Sequence, residues 1–275
     1  MTSPAGPSAP ARVALVTGAA GGIGRAICET LAAEARASGQ PLRLALHGRA
    51  LGPALDALAA ELGGPLVEVR PFAADLTDTA APAALIAAVT AWAGGLDVLV
   101  SNAGQSRPGK LAELSTDEWD VTLDLNVRAT WLLAKAARPA LADRRGCLTA
   151  IASMSGLNPH PGYGAYSTAK AGLVMLCRQL AQEWAGAGIR VNAVCPGMIR
   201  TPLTESVYQD AGTLARREAL VPLGRIGRPD DIAAAVAFLS GSNASYITGV
   251  ALRVDGGLSE GMLNLIPGRP DKQVG

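Results

Sequence analysis

The chain has 275 residues, 49% hydrophobic and 17% charged, enough to bury a substantial core in one large α/β domain or two small ones. Lys and Arg number 24 against 23 Asp and Glu, a net charge of +1 that gives no electrostatic case for nucleic acid or an anionic membrane as partner. Four scattered cysteines (Cys28, Cys147, Cys177 and Cys195) with no CxxC pair argue against a disulfide framework or a zinc site and fit buried thiols in a reducing cytoplasm.

The first residues, MTSPAGPSAPAR, lack the apolar stretch of a secretory signal, and a disordered tail is expected over residues 1–11. No apolar run is long enough for a membrane span. RVALVT (Arg12–Thr17) reads as a buried parallel strand. TGAAGGIG (Thr17–Gly24) follows at once and leads into a helical pattern through Ile27 and Leu31 that ends near Gly39. Strand, glycine turn and helix start together present backbone N–H groups to a phosphate. Gly18 suits the tight turn, Gly22 the approach of a pyrophosphate and Gly24 the close packing of helix on strand. The spacing is GxxxGxG rather than the commoner GxGxxG.

LRLALHGR (Leu42–Arg49) reads as the second strand, followed by an Ala/Leu-rich helix to about Leu62. PLVEVRPFAAD (Pro65–Asp75) is the third strand, with Asp75 and Leu76 at the end where such sheets bind ligands. A helix is expected over Thr79–Ala93, and LDVLVSNAG (Leu96–Gly104) is a fourth strand ending in a turn of small residues. Ser115 with Glu118 three residues on reads as a helix start. That helix is expected to run unbroken to about Asp143, carrying Asn126 near its middle. Its apolar residues, Trp119 through Leu133, spread beyond one stripe, so burial by the sheet and by a second subunit is expected.

CLTAIAS (Cys147–Ser153) is the fifth strand and delivers Ser153 at its end. A helix over Tyr163–Trp184 carries Tyr166 and Lys170, four apart and therefore on one face. A free tyrosine has a pKa near ~10, and an adjacent ammonium lowers it. A serine hydroxyl beside them can hold a carbonyl oxygen, so the three residues suit proton transfer to or from an alcohol or ketone. GIRVNAVCPG (Gly188–Gly197) is the sixth strand. Ile199–Val221 reads as a mobile helical lid, Pro229–Leu239 as a short helix and GVALRVDGG (Gly249–Gly257) as the last strand. His47 reads as structural; His160 faces either substrate or solvent. No cluster has the make-up of a metal site. The alternation predicts an α/β fold: a single doubly wound Rossmann-type domain over residues 12–258, with about seven parallel strands and helices on both faces, and a C-terminal tail over 259–275.

TGAAGGIG, SNAG, Asn126, Ser153, YSTAK and NAVCPG, in this order along one chain, resemble the short-chain dehydrogenase/reductase family. PLGRIGRPDDIAAAVAFL and YITGVALRVDGG are similar to its bacterial 3-oxoacyl-carrier-protein reductase-like branch. The resemblance implies that Tyr166 is the general acid in reduction and the base in oxidation. Lys170 then binds the nicotinamide ribose and lowers the Tyr166 pKa, Ser153 holds the substrate oxygen, and Asn126 holds a water leading to Lys170. Gly18, Gly22, Ile23, Gly24, Asn102, Ala103, Gly104, Pro196, Gly197, Ile199 and Thr201 would line the cofactor, with Asp75 and Leu76 beside its adenine. Gly48 stands where NAD-preferring relatives usually have Asp, and Arg49 follows it, so NADP(H) is the expected cofactor with NAD(H) as a second. The resemblance further implies a homotetramer acting on a small carbonyl or alcohol substrate. The weaker alternatives are a carrier-protein thioester, a sugar or polyol, and a non-catalytic nucleotide sensor. Carrier-protein reductases carry basic residues beside the entrance. Arg144 or Arg145 could fill one such place, but Gln182 occupies the other, with Arg178 one turn earlier.

Overall fold

The computed structural model describes residues 10–202 and 204–265. Of the expected N-terminal tail only Pro10 and Ala11 fall among them, and the end of the C-terminal tail lies outside them. Seven strands, β1 (Arg12–Thr17), β2 (Leu42–Gly48), β3 (Val67–Ala73), β4 (Val98–Ser101), β5 (Cys147–Ile151), β6 (Arg190–Pro196) and β7 (Ala251–Val254), form one sheet. Its order is β3-β2-β1-β4-β5-β6-β7, and every pairing is parallel. The strand order reverses between β1 and β4, and the crevice outside their C-terminal ends is where doubly wound sheets bind ligands.

Side chains alternate across the sheet, which builds two cores from one strand. Val13 and Leu15 of β1 point to one face and pack with α3 (Ala81–Ala93), α5 (Ala129–Arg144) and α6 (Tyr166–Trp184). Ala14 and Val16 point to the other and pack with α1 (Gly22–Ser38), α2 (Pro53–Leu62) and α9 (Pro229–Ser240). All four are fully buried, as the unbroken apolar run of a central parallel strand requires.

The long helix expected from Ser115 is interrupted. Ser115 and Glu118 do cap each other reciprocally, and α4 (Thr116–Leu123) follows. A π-turn then occupies Asp124–Arg128 before the chain returns to α-helix in α5. The inserted residue re-aims Asn126 at the centre of the turn, and such bulges recur at functional positions. The next expected helix starts at Tyr166 rather than Tyr163. Gly164 has φ +55°, and Gly109 and Tyr163 form an isolated bridge that holds residues 162–164 against the loop after β4. Within the segment expected as a lid, α7 (Glu205–Tyr208) and α8 (Ala211–Glu218) form, the latter capped by the Asp210 carboxylate. A 3-10 segment, Leu258–Leu265, begins the C-terminal tail.

Candidate active site

The glycine turn after β1 is held from three directions. The Thr17 hydroxyl accepts the backbone N–H of Asn102 at 2.9 Å and of Ala103 at 3.0 Å. The Asn102 amide donates back to the carbonyls of Thr17 (2.9 Å) and Gly18 (3.2 Å). Buried His47 accepts the Gly18 N–H at Nδ1 (3.4 Å), which leaves Nε2 to donate to the Ala74 carbonyl (3.0 Å). Burial lowers the His47 pKa, so this neutral tautomer is the one the fold keeps. Gly18 adopts φ +65°, a left-handed conformation that favours glycine. A Cβ on Gly24 would run into the Gly18 carbonyl, and one on Gly22 would stand 2.9 Å from Thr201 Cβ. The start of α1 has no side-chain cap and no acid in its first turn. Its free N–H groups, Ile23's included, suit a pyrophosphate. The Ile23 side chain packs against the core.

At the end of β2, the exposed Arg49 lines a pocket with Ala20, Gly48, Ala50, Gly52 and Leu55, and no carboxylate lines it. Asp75 accepts the Thr77 hydroxyl (2.7 Å) and backbone N–H (3.0 Å), which hold its carboxyl below the usual carboxylate range. Leu76 beside it is buried. On the opposite side Pro196 closes β6 and is buried, Gly197 lies against Asp255, Ile199 is buried and Thr201 approaches Gly22. These residues form a cradle whose shape and donors fit a dinucleotide.

Ser153, Tyr166, Lys170 and Asn126 come together beside that cradle. Ser153 leaves the end of β5, and its hydroxyl oxygen accepts the Ser155 N–H at 3.1 Å. Tyr166 opens α6, with its phenol close enough to the Ser153 hydroxyl for the serine to favour the phenolate. Burial raises the phenol pKa, and the neighbouring Ser153 hydroxyl opposes that rise. Lys170, one turn on, is buried, donates to the Ile151 carbonyl at 2.8 Å and lies 5.5 Å from the Tyr166 ring. Burial pushes its pKa down to about 8. The phenol is thus raised by burial, opposed by Ser153, and the lowering expected from Lys170 is not among the influences on it.

Asn126 donates to the carbonyls of Gln105 and Thr122, both at 2.9 Å, while its buried Oδ1 has no partner among the described residues. Such an orphaned acceptor suits a water. Gly104 stands in front of it: a Cβ there would lie 2.6 Å from that oxygen and 3.4 Å from Lys170 Nζ. Thr17 and the turn-holding part of His47 escaped the sequence reading, although Thr17 and His47 are cross-strand partners in the β1–β2 register.

The basic positions considered for a carrier protein lie elsewhere in the chain. Arg144 and Arg145 end α5 just before β5, at the opposite end of that strand from Ser153. Gln182 and Arg178 are on α6, roughly 24 and 18 Å along the helix from Tyr166 at 1.5 Å per residue. Among the described residues no group of three or more His, Cys, Asp or Glu could hold a metal ion, and no helix is long and apolar enough to cross a membrane.

A doubly wound parallel sheet with a glycine turn at its switch point and a Ser-Tyr-Lys cluster beside it defines a class of nicotinamide-dependent oxidoreductases. The chain belongs to the short-chain dehydrogenase/reductase family, in the branch of the 3-oxoacyl-carrier-protein reductases. The family model described as enoyl-(acyl carrier protein) reductase matches residues 18–259. The chain is 34% identical to the 3-oxoacyl-[acyl-carrier-protein] reductase FabG of Thermotoga maritima over 248 residues, which cover 90% of this chain and 97% of that protein. A putative short-chain alcohol dehydrogenase from Sinorhizobium meliloti superposes with a TM-score of 0.83 at 32% identity, covering 91% of this chain and 97% of the other. The Pseudomonas aeruginosa RhlG/NADP active-site complex superposes with a TM-score of 0.81 at 30% identity, covering 92% and 98%.

Proposed function

We propose that the protein moves hydride between NADP(H) and a ketone or secondary alcohol at the Ser153, Tyr166, Lys170 and Asn126 site. The observation that carries the reading is the convergence of a buried lysine, a half-buried tyrosine and a serine hydroxyl at the mouth of a dinucleotide cradle. The nicotinamide supplies or accepts the hydride directly, so the protein needs to add only orientation, a proton and stabilisation of the alkoxide. Ser153, its oxygen already engaged by the Ser155 N–H, points its own proton at the carbonyl oxygen. Tyr166, kept protonated by burial, gives the proton in reduction. Lys170 and a water on Asn126 Oδ1 carry the replacement proton inward. In oxidation the Lys170 ammonium would favour the phenolate.

The preference for NADP(H) over NAD(H) rests on Arg49 and on a ribose pocket without a carboxylate. An NADP complex among the structural relatives is in keeping with it. A homotetramer is supported by apolar side chains exposed on two faces, Trp131 and Met175 on one and Phe238 and Tyr246 on the other. Four buried free thiols suit a reducing cytoplasm.

The carrier-protein reading is favoured by the reductase relatives and weakened by the distance of Arg144, Arg178 and Gln182 from Tyr166 within one chain. A screen of free ketones, secondary alcohols and 3-oxoacyl thioesters with both nicotinamides decides it. Turnover of free ketones with NADPH is expected; turnover of carrier-bound thioesters alone would reverse the order of the two readings.

A further inference from the structure

The loop between β5 and α6 carries a second polar group that the proposed reaction does not use. The Ser155 hydroxyl is buried and hydrogen-bonded to His160 Nδ1 at 2.8 Å. That nitrogen is the hydroxyl's only partner among the described residues. A buried hydroxyl proton without an acceptor is costly, so Ser155 donates and the imidazole accepts at Nδ1. Burial lowers the imidazole pKa, in keeping with that neutral form. The His160 ring stacks on Tyr163, with centroids 3.7 Å apart and planes 24° apart.

These contacts join the two ends of the loop. At the Ser153 end, the Ser155 N–H donates to the Ser153 hydroxyl oxygen at 3.1 Å, so whatever fixes Ser155 also fixes the direction of that hydroxyl. At the other end, the Tyr163 N–H donates to the His160 carbonyl at 3.3 Å and the Tyr166 N–H to the Tyr163 carbonyl at 3.1 Å. The two tyrosine rings tilt against each other, centroids 6.4 Å apart. Tyr163 is also tied from outside the loop, because Gly109 donates to the Gly162 carbonyl at 2.8 Å and accepts the Gly164 N–H at 2.9 Å. A chain of contacts thus runs from Ser153 through Ser155, His160 and Tyr163 to Tyr166. Between Ser153 and Tyr166 there is no helix or strand beyond the short 3-10 turn Met154–Gly156. Without a regular ladder, the segment holds its shape through contacts of this kind.

We propose that His160 is a positioning residue for the carbonyl reaction. It holds Ser155, and through Ser155 the Ser153 hydroxyl, at the separation from the Tyr166 phenol where one substrate oxygen meets both. His160 takes no proton from the substrate; it acts through the two residues that touch the oxygen. Small misplacements of reacting groups cost rate rather than binding, so the signature of such a brace lies in kcat. The inference rests on the proposed carbonyl site, and its test is chosen to separate the two.

Reduction by NADPH of the ketone turned over fastest in the screen is compared for wild type, Ser155→Ala, His160→Phe, the two combined, His160→Asn and Tyr166→Phe. The Kd for NADPH and thermal unfolding are measured on the same preparations. Ser155→Ala removes the donor and keeps the stack, whereas His160→Phe keeps a ring on Tyr163 and removes the acceptor. Each is expected to lower kcat about tenfold, with the KM for the ketone and the Kd for NADPH within about twofold of wild type. The double variant should be within about twofold of the slower single one, because both changes remove the same bond. His160→Asn, which offers an amide oxygen near the place of Nδ1, should recover part of the loss seen in His160→Phe. Single variants that keep kcat within about twofold of wild type would overturn the inference. So would losses that multiply in the double variant, an Asn variant no faster than the Phe variant, or losses of kcat matched by losses of NADPH affinity and thermal stability. Failure of the carbonyl reading would appear instead as wild-type inactivity on every ketone, or as turnover that survives Tyr166→Phe.

Discussion

Gly104 and Asn126 are fitted so closely that a Cβ on the glycine would stand 2.6 Å from the asparagine side-chain oxygen. The glycine ends the turn after β4, and the asparagine sits on the π-turn between α4 and α5. The contact therefore sets the depth at which Asn126 faces Lys170. Gly104→Ala should displace the amide, at an overpacking cost of about 1–3 kcal/mol. Turnover should fall by about tenfold or more, since small misplacements at a reacting centre reach ~100-fold. Thermal unfolding and steady-state kinetics on the same preparation check both effects.

Lys170 gives a dependence on pH whose sign is fixed. Its pKa is about 8 in the fold, against an ordinary value near 10.5. Between those values the unfolded chain holds a proton that the native chain lacks, so native stability rises with pH. Below about 8 both states are protonated, and the cost of burying the charge is present in full. Lys170→Met removes this titration and leaves the others. Wild type should therefore gain stability relative to Lys170→Met from pH 8 to 10, by at most ~1.4 kcal/mol per pH unit, and show a flat difference below pH 7. A difference that stays flat across pH 8 to 10 in denaturant titrations would count against a depressed lysine.

The proposed preference for NADP(H) rests on Arg49. It is exposed at the end of β2 in a pocket without a carboxylate. Arg49→Ala should raise the KM for NADPH about tenfold, ~1.4 kcal/mol, and leave that for NADH within about twofold. Equal changes for both cofactors would make it a general electrostatic contributor and remove the basis for NADP(H) selectivity.

Much of this arrangement was legible in the sequence because parallel strands and glycine turns leave strong local marks. RVALVT followed by TGAAGGIG places a strand, a turn and a helix N-terminus with little freedom, and Ser153, Tyr166 and Lys170 follow from the strand end and the four-residue spacing. The π-turn at Asn126 left no such mark. The helices around it are apolar on more than one side, so one extra residue does not break a visible 3.6-residue period. In sequence Tyr163 looks like part of α6, three residues before the helix begins; the backbone of Gly164 and a bridge to Gly109, far in sequence, decide otherwise. His47 was legible as structural, but its grip on the Gly18 N–H depends on the β1–β2 register, which only the assembled sheet sets. That burial raises the Tyr166 phenol pKa is likewise not legible in the sequence, because burial is a property of the packed site.

The central claim is that Tyr166 passes the proton to or from the substrate oxygen. Tyr166→Phe keeps the ring packed near Tyr163 and Lys170 and removes only the hydroxyl that meets Ser153. The direct test is single-turnover reduction of the best ketone by this variant, with NADPH affinity measured alongside. The account predicts that the rate falls at least ~100-fold, about 2.7 kcal/mol of barrier, while the Kd for NADPH stays within about twofold. A variant that keeps more than about a tenth of the wild-type rate, a loss under ~1.4 kcal/mol, would contradict it.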